Sequence, residues 1–294
     1  MYTKKNIGGK DVYTVESHHR AFEAWAEIRR RSVAPPNLIT LDQHTDTLEP
    51  FLRYVRAKYD VSDNSDEDEN SARIALVAKI DFMDGATVKA AVGLLHNDEH
   101  IQAATRSGII NVAFVVAFEG TATESDEEKE FEAKHPYWTR RLSTCVATLP
   151  DGPRRYSLPV GRFFILPHGC RTGCTANPHD DTCHYAVSSE ILEPSYLMRQ
   201  LDWAQKMASS VGIPDLLGEP YILDIDLDFF HTRKALNPED PSAFHHLIRN
   251  ALGVTIATET ECTEACWLDP KPAPIYDMLQ SVYGHIEAAM EESP

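Results

Sequence analysis

The stretch Tyr221-Ile-Leu-Asp-Ile-Asp-Leu-Asp-Phe-Phe230 narrows the folds open to this chain more than any other. Three aspartates follow an apolar run at every second position. Alternate side chains of an extended chain share a face, so Asp224, Asp226 and Asp228 are expected on one side, with Ile225, Leu227 and Phe229 on the other. Aspartate is disfavoured inside strands. Clustered carboxylates repel one another and are costly to bury unpaired. A cation removes both difficulties. An exposed edge strand with an acidic face is the plainer explanation of the alternation. The apolar flanks favour instead the end of a buried strand presenting carboxylates to metal.

The pattern recurs. Asn37-Leu-Ile-Thr-Leu41 is an apolar strand that runs directly into Asp42-Gln43-His44-Thr45-Asp46. Acid, imidazole and acid at every second residue can converge on one ion or on two adjacent ions. Further strands are expected at Asp11–Val15, Gly161–Leu166 and Gly253–Thr258, and at Ile109–Phe118, whose nearly unbroken apolar run suits a central parallel strand. Helical spacing is read over about 21–31, 49–60, 71–77, 85–95, 193–209, 238–252 and 275–290.

Strands alternating with helices predict parallel βαβ units. The fold class is therefore α/β, a three-layer α/β/α arrangement with a mainly parallel central sheet. Residues 1–294 are read as a single catalytic domain, with acidic loop insertions near 60–70 and 121–134. Parallel sheets carry their functional loops at the carboxyl ends of the strands. Five strand exits hold polar candidates: His18 and His19; Asp42, His44 and Asp46; His168; Asp224 and Asp226; Glu259 and Glu261. Glu119 follows the apolar run that ends at Phe118.

The formal charge of −17 argues against nucleic acid as a partner. It suits a cationic small molecule or a basic peptide, although charge of this kind also serves solubility. No stretch approaches the length needed to span a bilayer, and no apolar segment follows the basic Met1-Tyr-Thr-Lys-Lys5. A cytoplasmic location without membrane attachment is expected, and the oligomeric state is open. The six cysteines are then expected as reduced thiols or ligands. Cys170, Cys174, His179, Cys183 and His184, with His168 just before them, follow a Cys-x3-Cys-x8-Cys-His spacing. That spacing can hold a structural zinc but lacks the close pairs of a zinc finger, so thiols in a long loop are the default reading.

About six donors, four of them carboxylates, are expected at the strand exits: one or two imidazoles, then Asp42, His44, Asp46, Asp224 and Asp226. A single ion would leave much of that charge unbalanced, whereas two divalent ions about 3.5–4 Å apart, sharing carboxylates, would not. Oxygen-rich donors with some imidazole suit manganese. Two such ions lower the pKa of a shared water, which points to hydrolysis at a trigonal carbon.

Asp42-x-His44-x-Asp46 together with Asp224-x-Asp226 resembles the two signature motifs of the ureohydrolases, in the arginase/deacetylase superfamily. Val-Glu-Ser-His-His19, Leu-Asp-Gln-His-Thr-Asp46, Leu-Asp-Ile-Asp-Leu-Asp-Phe-Phe230 and Thr-Ile-Ala-Thr-Glu-Thr-Glu261 are similar to a divergent branch of that superfamily. This branch includes the peptide arginases of ribosomal peptide biosynthesis. The likeness spans roughly residues 11 to 262. It implies an arginase-like fold, two Mn2+ ions, and a hydrolase converting arginine residues of a precursor peptide to ornithine and urea. By the same likeness Asp42 and Asp224 would bridge the ions, Asp46 would complete one site, and His44 and Asp226 the other. The upstream imidazole would be His18 or His19. Ureohydrolases carry Gly-Gly-Asp-His there, where this chain has Glu16-Ser-His-His19, and Asp-Pro after the paired acids, where it has Asp228-Phe229-Phe230. Asp228 is either an outer partner of a ligand or a charge at a strand end.

A guanidinium is oriented by a planar carboxylate. The likeness assigns this to Glu261 or Glu259. His96 or His100 is expected to carry a proton to the leaving amine, and Asp98 to support substrate or a ligand. Two other readings fit the same residues. One is a metal-dependent deacetylase of the superfamily, suggested by the His18-His19 pair and needing one zinc. The other is a non-catalytic metal-containing protein that binds a peptide.

Overall fold

The structure, a computed structural model, describes residues 2–58, 66–117, 158–166, 174–175 and 181–292. Among the described residues seven strands form one sheet: β1 (Thr3–Ile7), β2 (Lys10–Val15), β3 (Asn37–Asp42), β4 (Ala113–Ala117), β5 (Phe163–Ile165), β6 (Tyr221–Asp226) and β7 (Val254–Ala257). Their order across the sheet is β1-β2-β7-β6-β3-β4-β5. β1 and β2 pair antiparallel, and every other neighbour pair is parallel. Strands β3, β4, β6 and β7 are buried along their whole length, as their apolar runs require.

The helices are α1 (Ala21–Arg30), α2 (Leu52–Lys58), α3 (Asp66–Val77), α4 (Gly85–Val92), α5 (His100–Arg106), α6 (Asp181–Ser188), α7 (Pro194–Ser210), α8 (Ser242–Asn250), α9 (Thr260–Cys266) and α10 (Ile275–Glu291). They cover both faces of the sheet, and the period-2 alternation of the strands supplies a core to each. Ile39, Leu41, Phe114, Val116, Leu223 and Ile225 pack with Leu197, Leu247 and Val282 from α7, α8 and α10. Leu38, Ala113, Val115 and Ile222 pack with Trp25, Val88 and Ala103 from α1, α4 and α5. This is an α/β sheet flanked by helices and consistent with three layers. Each large side chain so buried contributes about 1.5–3 kcal/mol. Thr40, Asp42, Asp224 and Asp226 share strand parity with the second set, so their side chains point towards α1 and α5. Among the described residues no helix is long and apolar enough to cross a membrane.

Several elements depart from expectation. The strand from Tyr221 stops at Asp226, and Leu227–Phe229 forms one 3-10 turn. The Asp226 side chain accepts a hydrogen bond from the Asp228 backbone N–H at 3.2 Å, so Asp228 leaves the strand alternation that was expected to align all three acids. The second half of the acidic 60–70 run is the first turn of α3, where acidic side chains meet the positive end of the helix dipole. β1, α5, α6 and α9 were not expected from periodicity. Residues 121–134, Glu119, His168, Cys170 and His179 lie outside the described residues.

Candidate metal centre

Four neighbouring strands in the order β2, β7, β6 and β3 deliver the polar candidates to one place. His18 follows β2 in a 3-10 turn and is completely buried. Its Nε2 lies 2.7 Å from Asp224 Oδ2. A carboxylate only accepts, so Nε2 carries a hydrogen, and in the neutral ring that leaves the Nδ1 lone pair for an ion. That Nδ1 is 2.9 Å from Asp46 Oδ2 and 3.3 Å from both Asp42 Oδ2 and Asp226 Oδ2. At none of these distances does the geometry make a hydrogen bond, and His18 Nδ1 and Asp42 Oδ2 have no hydrogen-bond partner. Donor atoms this close without bonding one another are arranged around a point between them. Buried unsatisfied polar atoms are uncommon and call for a reason, and an ion supplies one.

Among the described residues three sets of donor atoms are mutually close enough to hold a metal ion: His18, Asp42 and Asp226; Asp42, His44 and Asp228; and His18, Asp46 and His100. Asp42 belongs to two of them. His44 Nδ1 is 3.0 Å from Asp228 Oδ2 and 3.8 Å from Asp42 Oδ1. The His44 and Gln43 backbone N–H groups donate to Asp42 Oδ1 at 2.7 Å and Asp228 Oδ1 at 3.1 Å, fixing both carboxylates.

Asp224 sits differently. Its Oδ2 accepts from His18 and from Thr40 Oγ1 at 2.8 Å, and its Oδ1 accepts from Thr255 Oγ1. Trp25 Nε1 donates in turn to Thr255 Oγ1 at 3.0 Å. Both oxygens are thus engaged behind the His18 ring, and Asp224 is in none of the three donor sets. The register explains this: Asp224 stands opposite Thr40 on β3 and Thr255 on β7, one strand step before the carboxyl edge.

Electrostatics follow the crowding. Burial alone would keep His18 neutral, but Asp224, Asp42 and Asp46 together raise its pKa well above the ordinary histidine value. Burial, then the neighbouring Asp46, raises Asp42 well above the carboxylate range. Burial and then Asp228 do the same to Asp226. Burial pushes Asp46 up to about 6. Such shifts follow from carboxylates crowded together in a buried place.

The remaining candidates divide. Glu259 follows β7 and accepts from the His18 backbone N–H at 2.7 Å, while its charge is felt by Asp46 and Asp226, so its carboxylate borders the cluster. Glu261 is exposed on α9. His19 is half-buried and in none of the donor sets, and burial lowers its pKa to about 4. His96 is exposed. Asp98 pairs with Arg53, away from the cluster. His100 is fully buried beside His18. Two site residues have left-handed backbone, Asp46 (φ 48°) and Glu259 (φ 24°). Strain of this kind, on the order of 1–3 kcal/mol per residue, collects where side-chain placement matters more than stability.

Thr40, Thr255 and Trp25 were not anticipated. Their signal was nonetheless present: Thr40 and Thr255 are the polar residues inside otherwise apolar strands. In the Cys/His segment the Cys174 and Cys183 sulfurs lie 3.6 Å apart without a disulfide, and the His184 ring is 5.6 Å from that of His231. No family model, no curated protein and no solved structure matches this chain.

Proposed function

We propose that this chain is an arginase-like, two-metal amidinohydrolase that cleaves the guanidino group of arginine residues in a peptide, giving ornithine and urea. The observation that carries the reading is Asp42: one buried carboxylate shared by two donor sets, each with its own imidazole, His18 in one and His44 in the other. Four carboxylates at the cluster, Asp42, Asp46, Asp226 and Asp228, balance two divalent ions. Oxygen with imidazole and no thiolate suits Mn2+. In this assignment Asp226 joins the His18 side, from which Asp224 is absent, and Asp228 completes the His44 side. Asp224 holds His18. Two divalent ions so held supply Lewis acidity and lower the pKa of water.

The chain's own groups supply orientation. Glu259, its Oε1 fixed by the His18 N–H, offers a carboxylate beside the cluster for a planar guanidinium. Arginine in a peptide also agrees with the formal charge of −17, which draws basic ligands. The test is urea release by Mn2+-loaded protein offered free arginine, agmatine and arginine-containing peptides. Urea with ornithine formed only within peptides is expected. No urea from any of them would end the amidinohydrolase reading, and one zinc per chain would favour a deacetylase instead.

A further inference from the structure

We infer that His100 is a third imidazole ligand of this centre, binding the ion held by His18 and Asp46; the inference rests on the two-metal reading above. His100 opens α5, and the loop before it is pinned from three sides. The backbone N–H groups of Arg53 and His96 donate to the Glu99 carboxylate at 2.8 and 3.1 Å, and Leu48 N donates to Asp98 O at 2.8 Å. This ties the start of α5 to the segment that leaves Asp46.

The ring of His100 is stacked on Trp25 with centroids 5.2 Å apart and meets His18 edge-on at 4.5 Å. It is completely buried, and neither ring nitrogen has a hydrogen-bond partner. The Asn97 carbonyl faces the ring outside hydrogen-bonding geometry. Nδ1 lies 3.9 Å from Asp46 Oδ2, and the donor atoms of His18, Asp46 and His100 are all within 4.8 Å of one another. An imidazole with two unsatisfied nitrogens inside an aromatic packing is poorly explained as core. A proton carrier must reach substrate, and zero exposure sets His100 behind the cluster. As a neutral ligand it adds a donor without disturbing the balance of four carboxylates against two divalent ions. The ions would then be unequal, one rich in nitrogen beside Trp25 and one richer in oxygen beside Asp228.

The experiment compares full-length wild type with His100→Phe, which keeps a ring against Trp25, and with His100→Asn. Each protein is stripped with chelator and titrated with Mn2+ by calorimetry, then loaded with Co2+ for its visible spectrum. Two equivalents are expected for wild type. Both variants should weaken one equivalent at least about tenfold, a loss that even outer partners of ligands cause, and should change the Co2+ spectrum. Two equivalents at wild-type affinity with an unchanged spectrum overturn the inference, including the case in which turnover alone falls, as for a proton carrier. Should the variants not fold, nitrogen modulation in pulsed EPR of Mn2+-loaded wild type decides: two imidazoles on one ion support the ligand, one on each ion refutes it. Metal results as expected without urea release from any substrate leave this inference standing and remove only the assigned reaction.

Discussion

A carboxylate bonded to the back of a ligand imidazole decides which nitrogen faces the ion, and in the proposed centre Asp224, 2.7 Å from His18 Nε2, would do this for His18. Substituting Asp224→Asn should preserve the fold while lowering Mn2+ affinity roughly 10–100-fold, read by metal titration beside a melting curve. Asp226→Ala should instead abolish hydrolysis and lower the metal bound per chain; full activity with unchanged manganese would remove Asp226 from the centre. At Cys262, burial and then Glu259, Asp228 and Asp226 push the thiol up to about 12. Only the thiolate is reactive, so iodoacetamide at pH 8 should leave Cys262 unmodified by mass spectrometry in metal-free folded protein, and label it after unfolding. Asp42, His44, Asp46 and Asp226 stood out in the sequence because polar residues alternate at the end of an apolar strand, and the structure brings all four into groups that could hold an ion. Asp224 was legible as chemistry but not as position. A strand step of two residues separates a ligand from the group that orients it, and periodicity is blind to where the strand stops. Glu259 and Glu261 have the same periodicity as well, and only the turn into α9 separates the one at the cluster from the exposed one.

At the level of elements, the β1–β2 hairpin shows what patterning leaves out. Every residue of β1 except Ile7 is exposed, so Thr3–Ile7 carries no apolar period and reads as a polar tail. Its partner β2, mostly buried, was evident. The turn between them has Gly8 at φ +57°, and a Cβ there would come within 2.6 Å of Met290 Cβ on α10. Gly8→Ala should therefore cost at least about 1–2 kcal/mol from backbone strain alone, measured by urea unfolding; an unchanged midpoint would show that the hairpin does not depend on that turn. The central strands were legible for the opposite reason. β3, β4, β6 and β7 are buried on both faces, and only nearly continuous apolar sequence satisfies that. The longer helices on the two faces followed from their own spacing, but the short α5, α6 and α9 did not, because about two turns bury too little to leave a period.

For the molecule as a whole, the buried acids are a cost that the proposed metal would relieve. Asp46 at about 6, with Asp42 and Asp226 raised in the same direction, binds protons more readily folded than unfolded. The folded state then holds more protons above the ordinary carboxylate pKa, so stability falls as pH rises from there through about 6. His18, also raised, extends the loss to higher pH. Asp11, held at about 2 by Arg31, stays ionised throughout and contributes nothing to the trend. His19, lowered to about 4, and His100 and His285, lowered as well, act in the opposite sense, so the measurement that reads the carboxylates is the metal shift. Mn2+ should raise the melting temperature more at pH 7.5 than at pH 5, where protons compete for the same oxygens. Free Mn2+ at one hundred times its Kd adds about 2.7 kcal/mol per site; a melting temperature indifferent to both metal and pH would contradict the centre. The strand order carries a consequence for biosynthesis. β6 and β7, made late, lie between β2 and β3, made early. Until they thread into that gap, the β1–β2 hairpin and the β3–β4–β5 unit have no edge in common. On the ribosome, at roughly 5–20 residues per second, a nascent chain would carry His18 and Asp42 for about ten seconds or more before Asp226 and Asp228 exist. A product truncated before β6 would lack both acids and keep, of the three donor sets among the described residues, only that of His18, Asp46 and His100.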